Sequence, residues 1–411
     1  MINLIKELFK YDRQLLGKGY DKALTHINKI IPLEIIEIPS GTQFGTWTVP
    51  NEWIAKEGWV KYNGEKIIDY TKEPLSLMVY SQPFQGKIKL EELKKHLYYD
   101  AERPKATIYK YSFYEPKWGF SLPKEKIDIL KDGEYEVFID TQFRKGTLKI
   151  GIHTIKGKSD REILLFAHLD HPWQANDNLS GVVCLIDLAK KLENKYNHTI
   201  KIIFCPETIG SIAYCFKEDL SKVDFMIALD SIGSDSQTML QWAYKKEDRI
   251  NKIAHLAMSQ KGEDFQMSQF RYNIGSDEYA FNDPFIGIPG LCITRIPYPE
   301  YHTSDDKPEI IKEEKIKAIQ EIIENIISMY ERDFIPVRHF KGPLMRSRYG
   351  IETGFKTLGL SYDYLFYDMD GKKWLSELVS DCGLNFDYCY ELLKKIEKDG
   401  FLGQFNISEK R

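Results

Sequence analysis

An apolar run, Glu162-Ile-Leu-Leu-Phe-Ala167, stops on His168-Leu-Asp170. After a short loop the chain continues as Asp177-Asn178-Leu-Ser-Gly181 and a second apolar stretch, Val182 to Ala189. The first run has the length and side chains of a buried strand, and the second reads as a helix. An imidazole and a carboxylate at a strand end, then a carboxylate at a helix entrance, constrain the fold strongly. Parallel strands open a crevice beyond their C-terminal ends, and His with Asp is a donor set for a hydrolytic zinc.

Four later segments add the same kind of chemistry in order. Lys201-Ile-Ile-Phe-Cys-Pro-Glu207-Thr208-Ile-Gly210 is a strand reaching a carboxylate, and Asp224-Phe-Met-Ile-Ala-Leu-Asp230 is another. Gly275-Ser276-Asp277-Glu278 follows, and Gly287-Ile-Pro-Gly-Leu-Cys-Ile-Thr-Arg295 leads into Tyr301-His302-Thr303-Ser304-Asp305-Asp306. Alternating strand and helix signals through this region predict an α/β fold, a doubly wound, mostly parallel sheet with helices on both faces. A periodic helix from Ile310 to Tyr330 closes it, with Ile316, Ile319, Ile323, Ile326 and Tyr330 on one face.

The order of these motifs over roughly residues 130 to 335 resembles the co-catalytic zinc aminopeptidases of the bacterial leucyl-aminopeptidase and glutamate-carboxypeptidase clan. More narrowly, the whole chain resembles a bacterial aminopeptidase-like group with an inserted domain of unknown function and a C-terminal winged helix, some members of which are labelled polysaccharide-biosynthesis proteins. The resemblance implies metal ligands at His168, Asp177, Asp230 and His302, with Asp177 bridging. It implies Glu207 as general base, and Asp170 as the partner that orients the second ring nitrogen of His168. The chain departs from the pattern twice. The family places a second, metal-binding glutamate after the base, where this chain has Thr208, a poor zinc ligand. One tight zinc is therefore expected, with a second left open. The family's Ser-Asp-His is here Ser276-Asp277-Glu278, and Asp277, Glu278 and Tyr301 are substrate-binding candidates, Glu278 for a cationic group such as a free amine. Arg271, Arg295 and Tyr298 are further candidates for the pocket wall.

The texture changes between about residues 43 and 123, where Trp47, Trp53, Trp59 and Trp118 fall among short alternating runs and turn signals such as Asn63-Gly64. The expected division is an aminopeptidase-like core at 1–42 and 124–335, a small β-rich insert at 43–123 and a winged-helix domain at 340–411. In the tail, Lys373 to Gly383 and Asn385 to Gly400 read as two helices, and Phe401-Leu-Gly-Gln-Phe405 as the start of a wing. Basic and acidic residues balance there and the whole chain carries a net charge of -4, which argues against nucleic acid. The tail is expected to pack on the core or to form a homo-oligomer.

Six cysteines are scattered without a Cys-x-x-Cys pair and read as reduced thiols. No stretch approaches the ~20 apolar residues that span a bilayer, and Met1 to Arg13 reads as an amphipathic helix, so a cytoplasmic protein is expected. The leading functional expectation is a zinc hydrolase that cleaves an amide in a small peptide, amino-acyl or amino-sugar substrate. Two alternatives stay open: a single-zinc cyclase or deacylase, and a non-catalytic binding protein in which Thr208 and Glu278 mark a degenerate site.

Overall fold

Eight aliphatic-rich segments assemble into the central sheet of the computed structural model, which describes residues 1–262, 264–351 and 358–404. In chain order they are β1 (Glu34–Pro39), β2 (Thr147–Ile155), β3 (Glu162–His168), β4 (Thr199–Cys205), β5 (Val223–Asp230), β6 (Thr238–Gln241), β7 (Phe265–Ser268) and β8 (Gly290–Thr294). Their spatial order is β1-β2-β4-β3-β5-β8-β6-β7. The middle of the sheet is parallel, β4-β3-β5-β8, and antiparallel pairs attach β2 and β6 on either side. Strand β3 sits in this parallel centre and is buried from Ile163 to His168, as a strand covered on both faces must be.

The pleat divides the core in two. Ile163, Leu165, Ala167, Ile202, Phe204, Ile227 and Leu229 face the helices Gly181–Leu192, Arg249–Gln260 and Glu313–Arg332. Leu164, Phe166, Ile203, Met226 and Ala228 face the helix Ile209–Lys217 and the short turn of helix at Glu278–Phe281. In the closing helix Ile316, Ile319, Ile323 and Ile326 are buried, as their spacing predicts.

Between β1 and β2, in the region read as an insert, the chain forms a second antiparallel sheet with an apolar core of Trp53, Val60, Ile68, Leu77, Tyr135, Val137 and Ile139. Its strand order is Glu65–Asp69, Glu52–Tyr62, Glu134–Arg144, Phe84–Lys89. The strand Glu134–Arg144 was expected in the core region at 124–335, and here the structure differs. Its burial alternates through Tyr135, Val137, Ile139 and Thr141, the signature of a strand with one face to solvent, and it pairs with insert strands on both sides. After β1 the chain returns to the central sheet at Thr147.

In the tail, helices Leu375–Cys382 and Phe386–Lys398 are joined through Gly383, whose φ of 64° is the left-handed cap that ends the first helix. Strand Leu402–Gln404 pairs antiparallel with Pro336–Arg338. The rest of the expected wing, from residue 405 on, lies outside the described residues. The tail packs on the core: the Arg249 guanidinium lies between the rings of Tyr330 and Trp374, at 3.9 and 3.8 Å from their centres. All six cysteines are free. Among the described residues no helix is long and apolar enough to cross a membrane.

One half-buried ion-pair cluster pins the far end of the parallel strands. The His198 ring lies 2.9 Å from Glu331 on the closing helix and 2.8 Å from Asp224 on β5. Burial opposes its charge, but the hydrogen bonds to Asp224 and Glu331 outweigh burial and raise the pKa to about 9. A raised folded-state pKa contributes stability that is complete below the unfolded value of about 6.5 and is lost as pH rises through 9. Urea titrations should therefore show the unfolding free energy falling by on the order of 2 kcal/mol between pH 6.5 and pH 9. In His198→Gln that slope should flatten, and an unchanged slope would remove His198 as its source.

Candidate metal centre

The chemistry-bearing side chains meet where the parallel strands end. His168 is the last residue of β3 and Asp230 the last of β5. Glu207 lies just beyond the end of β4. Asp177 and His302 arrive on loops. Asp177 is 1% exposed and lies among three imidazoles. Its Oδ1 lies 2.9 Å from His168 Nε2 and 3.0 Å from His171 Nδ1, and its Oδ2 lies 2.8 Å from His302 Nε2. Burial opposes the charge on Asp177, but His171, His168 and His302 outweigh it and hold the carboxyl well below the usual range.

Three sets of donor atoms each lie within 4.8 Å of one another: His168, Asp177 and Asp230; His171, Asp177 and His302; and His168, His171 and Glu207. Imidazole and carboxylate are the borderline-to-hard donors that zinc takes. The contact between Asp177 Oδ2 and His302 Nε2 is short yet lacks hydrogen-bond geometry, so both buried atoms have no hydrogen-bond partner. Two unsatisfied donors aimed at one space fit a cation better than they fit each other. The residues present therefore fit zinc.

Each expected site residue can be placed. His168, Asp177, Asp230 and His302 converge. Glu207 stands at the edge, its side chain 26% exposed and its Oε2 3.5 Å from His171 Nε2. Burial pushes its carboxyl up to about 8, against the pull of His168 and His171. Asp170 has a different role from the one expected. Its Oδ1 accepts the backbone N–H of Glu207 at 2.8 Å, which fixes the Glu207 backbone. The carboxylate at the second ring nitrogen of His168 is that of Asp277, whose Oδ2 is 3.6 Å away. Asp277 and Glu278 do not line an opening, because both are buried. Glu278 accepts from Gln241 Nε2 at 2.7 Å and from the Ser276 N–H, so it does not present a charge to a substrate amine. Arg295 and Tyr298 are buried too, and Tyr298 donates to Asp306 at 2.7 Å. Tyr301 is 42% exposed and stacks on the His302 ring at 3.9 Å, so it stands at the mouth.

Sequence reading missed four features. His171 enters the cluster from the position after Asp170. Arg13, fully buried, donates to the carbonyls of Leu8, Leu169, His171 and Gln174 and so holds the loop between the ligands. Asp306 accepts the N–H groups of Ala175, Asn176 and Asp177 and fixes the Asp177 backbone. The insert also reaches the site. Ile108 bridges Thr303, the Tyr109 N–H donates to the His302 carbonyl at 2.7 Å, and the Tyr109 ring stands edge-on to both His171 and His302 at 5.4 Å. A buried arginine near an N-terminus gives no local signal, since its partners lie up to 161 residues away. The final aspartate of Thr303-Ser-Asp-Asp306 was visible in the motif without its role.

A family model described as DUF4910, a domain of unknown function, matches residues 2–333. A protein of Clostridium acetobutylicum named "Putative polysaccharide biosynthesis protein with aminopeptidase-like domain" is 33% identical over 419 aligned residues, covering 96% of this chain and 94% of its own. A crystal structure of a peptidase-like protein from the same organism superposes with a TM-score of 0.83 at 30% identity, covering 98% of this chain and 96% of that one. The zinc aminopeptidase of Bacillus subtilis superposes with a TM-score of 0.62 at 15% identity over 80% of this chain and 94% of its own, a likeness of fold.

Arg13 supplies a test of how the loop is held. Arg13→Met leaves carbonyls without donors in a closed interior, at about 1–3 kcal/mol each. Chemical denaturation should show a loss of about 3 kcal/mol or more, and calorimetry should show weaker zinc binding. Stability within 1 kcal/mol of wild type, roughly the size of an ordinary surface substitution, would rule out this anchoring role.

Proposed function

The chain belongs to the DUF4910 family, and from that footing we propose that it is a zinc-dependent hydrolase of amide bonds with aminopeptidase-like chemistry. The observation that carries this reading is the buried Asp177 carboxylate among His168, His171 and His302, with the partly exposed Glu207 beside it. When bound, zinc supplies Lewis acidity toward water and toward the scissile carbonyl.

The residues divide the remaining work. Glu207 takes the proton of the attacking water and returns it to the leaving amine. Its backbone is fixed by Asp170, and its carboxylate reaches the site from the solvent side, where a substrate enters. His168 and Asp230 hold the deep side of the site, where both are at most 4% exposed. His302 holds the outer side, braced between Tyr301 and Tyr109. Closure by Tyr109 limits water around the reacting bond.

A second substrate class has a specific basis. Tyr111 and Tyr301, 41% and 42% exposed, put apolar ring faces near His302. The related clostridial protein carries a polysaccharide-biosynthesis name. N-acylated amino sugars therefore belong in the screen beside amino-acyl amides, and deacylation of either uses the same proton path.

Glu207→Gln should keep the wild-type zinc content by elemental mass spectrometry while its turnover falls by about 10²- to 10⁴-fold, the usual contribution of a general base. Asp177→Ala should lose zinc. Full activity in Glu207→Gln would end the role assigned to Glu207. A wild-type protein that holds no zinc even when zinc is offered would favour a non-catalytic binding protein instead.

A further inference from the structure

We infer that His171 completes a second zinc position with Asp177 and His302, replacing the acidic ligand that Thr208 cannot provide. This inference rests on the zinc-hydrolase reading and extends it to the ligand set and the number of ions.

Geometry leads to this assignment. Two of the three donor sets share only Asp177: His168, Asp177 and Asp230 on one side, His171, Asp177 and His302 on the other. Asp177 Oδ1 lies between His168 and His171, and Oδ2 faces His302. Donors of a tetrahedral zinc at 2.0–2.1 Å bond lengths stand roughly 3.3 Å apart. The contacts of Asp177 to His171 and His302, 3.0 and 2.8 Å, need only a small outward movement to reach that spacing.

The third set, His168, His171 and Glu207, is the rival. It would make Glu207 a ligand and leave His302 with no purpose. The unsatisfied buried atoms decide between them. Among the residues of the three sets, those atoms are Asp177 Oδ2 and His302 Nε2, both in the set that contains His171 and His302.

His171 is also held as a ligand must be. Arg13 binds its carbonyl at 2.7 Å, and Tyr109 stands edge-on to its ring. His171 and His302 both have positive φ, 72° and 53°. That conformation is uncommon for a non-glycine residue, although histidine is among those that adopt it more readily, and such conformations cluster at functional sites. Thr208 shares the positive φ, at 61°, but its backbone N–H donates to Asp277 at 3.2 Å and it starts the helix Ile209–Lys217.

Exchanging a carboxylate for an imidazole changes how the ions are held. The inner position has one imidazole and two carboxylates, Asp177 and Asp230. The outer one has two imidazoles and shares Asp177. With one fewer anion, the outer ion should bind more weakly, so filling is stepwise.

The test is zinc titration of metal-free protein followed by native mass spectrometry, with cobalt(II) absorption as a second readout. Wild type should bind two ions in separate steps. His171→Asn is the variant of choice, because Asn tolerates positive φ and is a poor zinc ligand. It should fold normally by circular dichroism, keep the first ion, and bind the second more than 100-fold more weakly, since removing a ligand should exceed the 10–100-fold effect of a change one shell out. The absorption from the second cobalt should be lost. His171→Ala should behave alike. Two tight ions in both variants, or a single ion in wild type that both variants retain, would overturn the inference while leaving the hydrolase reading intact. A single ion lost in both would make His171 a ligand of a one-ion site and would also overturn the second position. No zinc in wild type would overturn both readings.

Discussion

One buried carboxylate organises the centre of this molecule. Asp177 sits among three imidazoles, its charge opposed by burial and held by His171, His168 and His302. A charge so placed is tolerable only when fully paired. The rest of the structure can be understood as the means of pairing it. The central strands deliver His168 and Asp230 from adjacent ends. Asp306 receives the backbone N–H groups around Asp177. Arg13 ties down the loop that runs from His168 to Asp177.

The same constraint explains why the insert is more than an appendage. Its segment from Arg103 to Phe113 runs along the loop that carries His302. Arg103 pairs with Asp305, the Thr107 carbonyl accepts the Ser304 N–H at 2.7 Å, and Ile108 bridges Thr303. Tyr109 then reaches two of the three imidazoles. The outer half of the site is thus built jointly by the loop that carries His302 and the segment from Arg103 to Phe113, with Tyr111 and Tyr301 exposed beside His302.

Much of this was legible in the sequence because strand ends announce themselves. An apolar run that stops on His168, Glu207 or Asp230 marks both an element and a crevice, and the central sheet followed from their succession. Features that depend on distant partners were not legible. His171 reads as a loop residue until a positive-φ turn and an arginine far along the chain aim it inward. Glu278 reads as a charge for a substrate amine until the fold buries it and Gln241 and the Ser276 N–H take its oxygens. Asp170 stands at the spacing of a histidine partner, yet the backbone of Glu207 takes its carboxylate and Asp277 lies under His168 instead. The strand Glu134–Arg144 falls in the residue range expected for the core, yet it pairs on both sides with strands of the second sheet, a partnership set by distant segments.

The most direct test of the central role of Asp177 is a crystal structure of the zinc-soaked protein with anomalous data collected on both sides of the zinc edge. The account predicts anomalous peaks within bonding distance, about 2.0–2.2 Å, of the Asp177 carboxylate, one towards His168 and Asp230 and a second towards His171 and His302. Zinc bound elsewhere, with Asp177 still hydrogen-bonded only to its histidines, would contradict it.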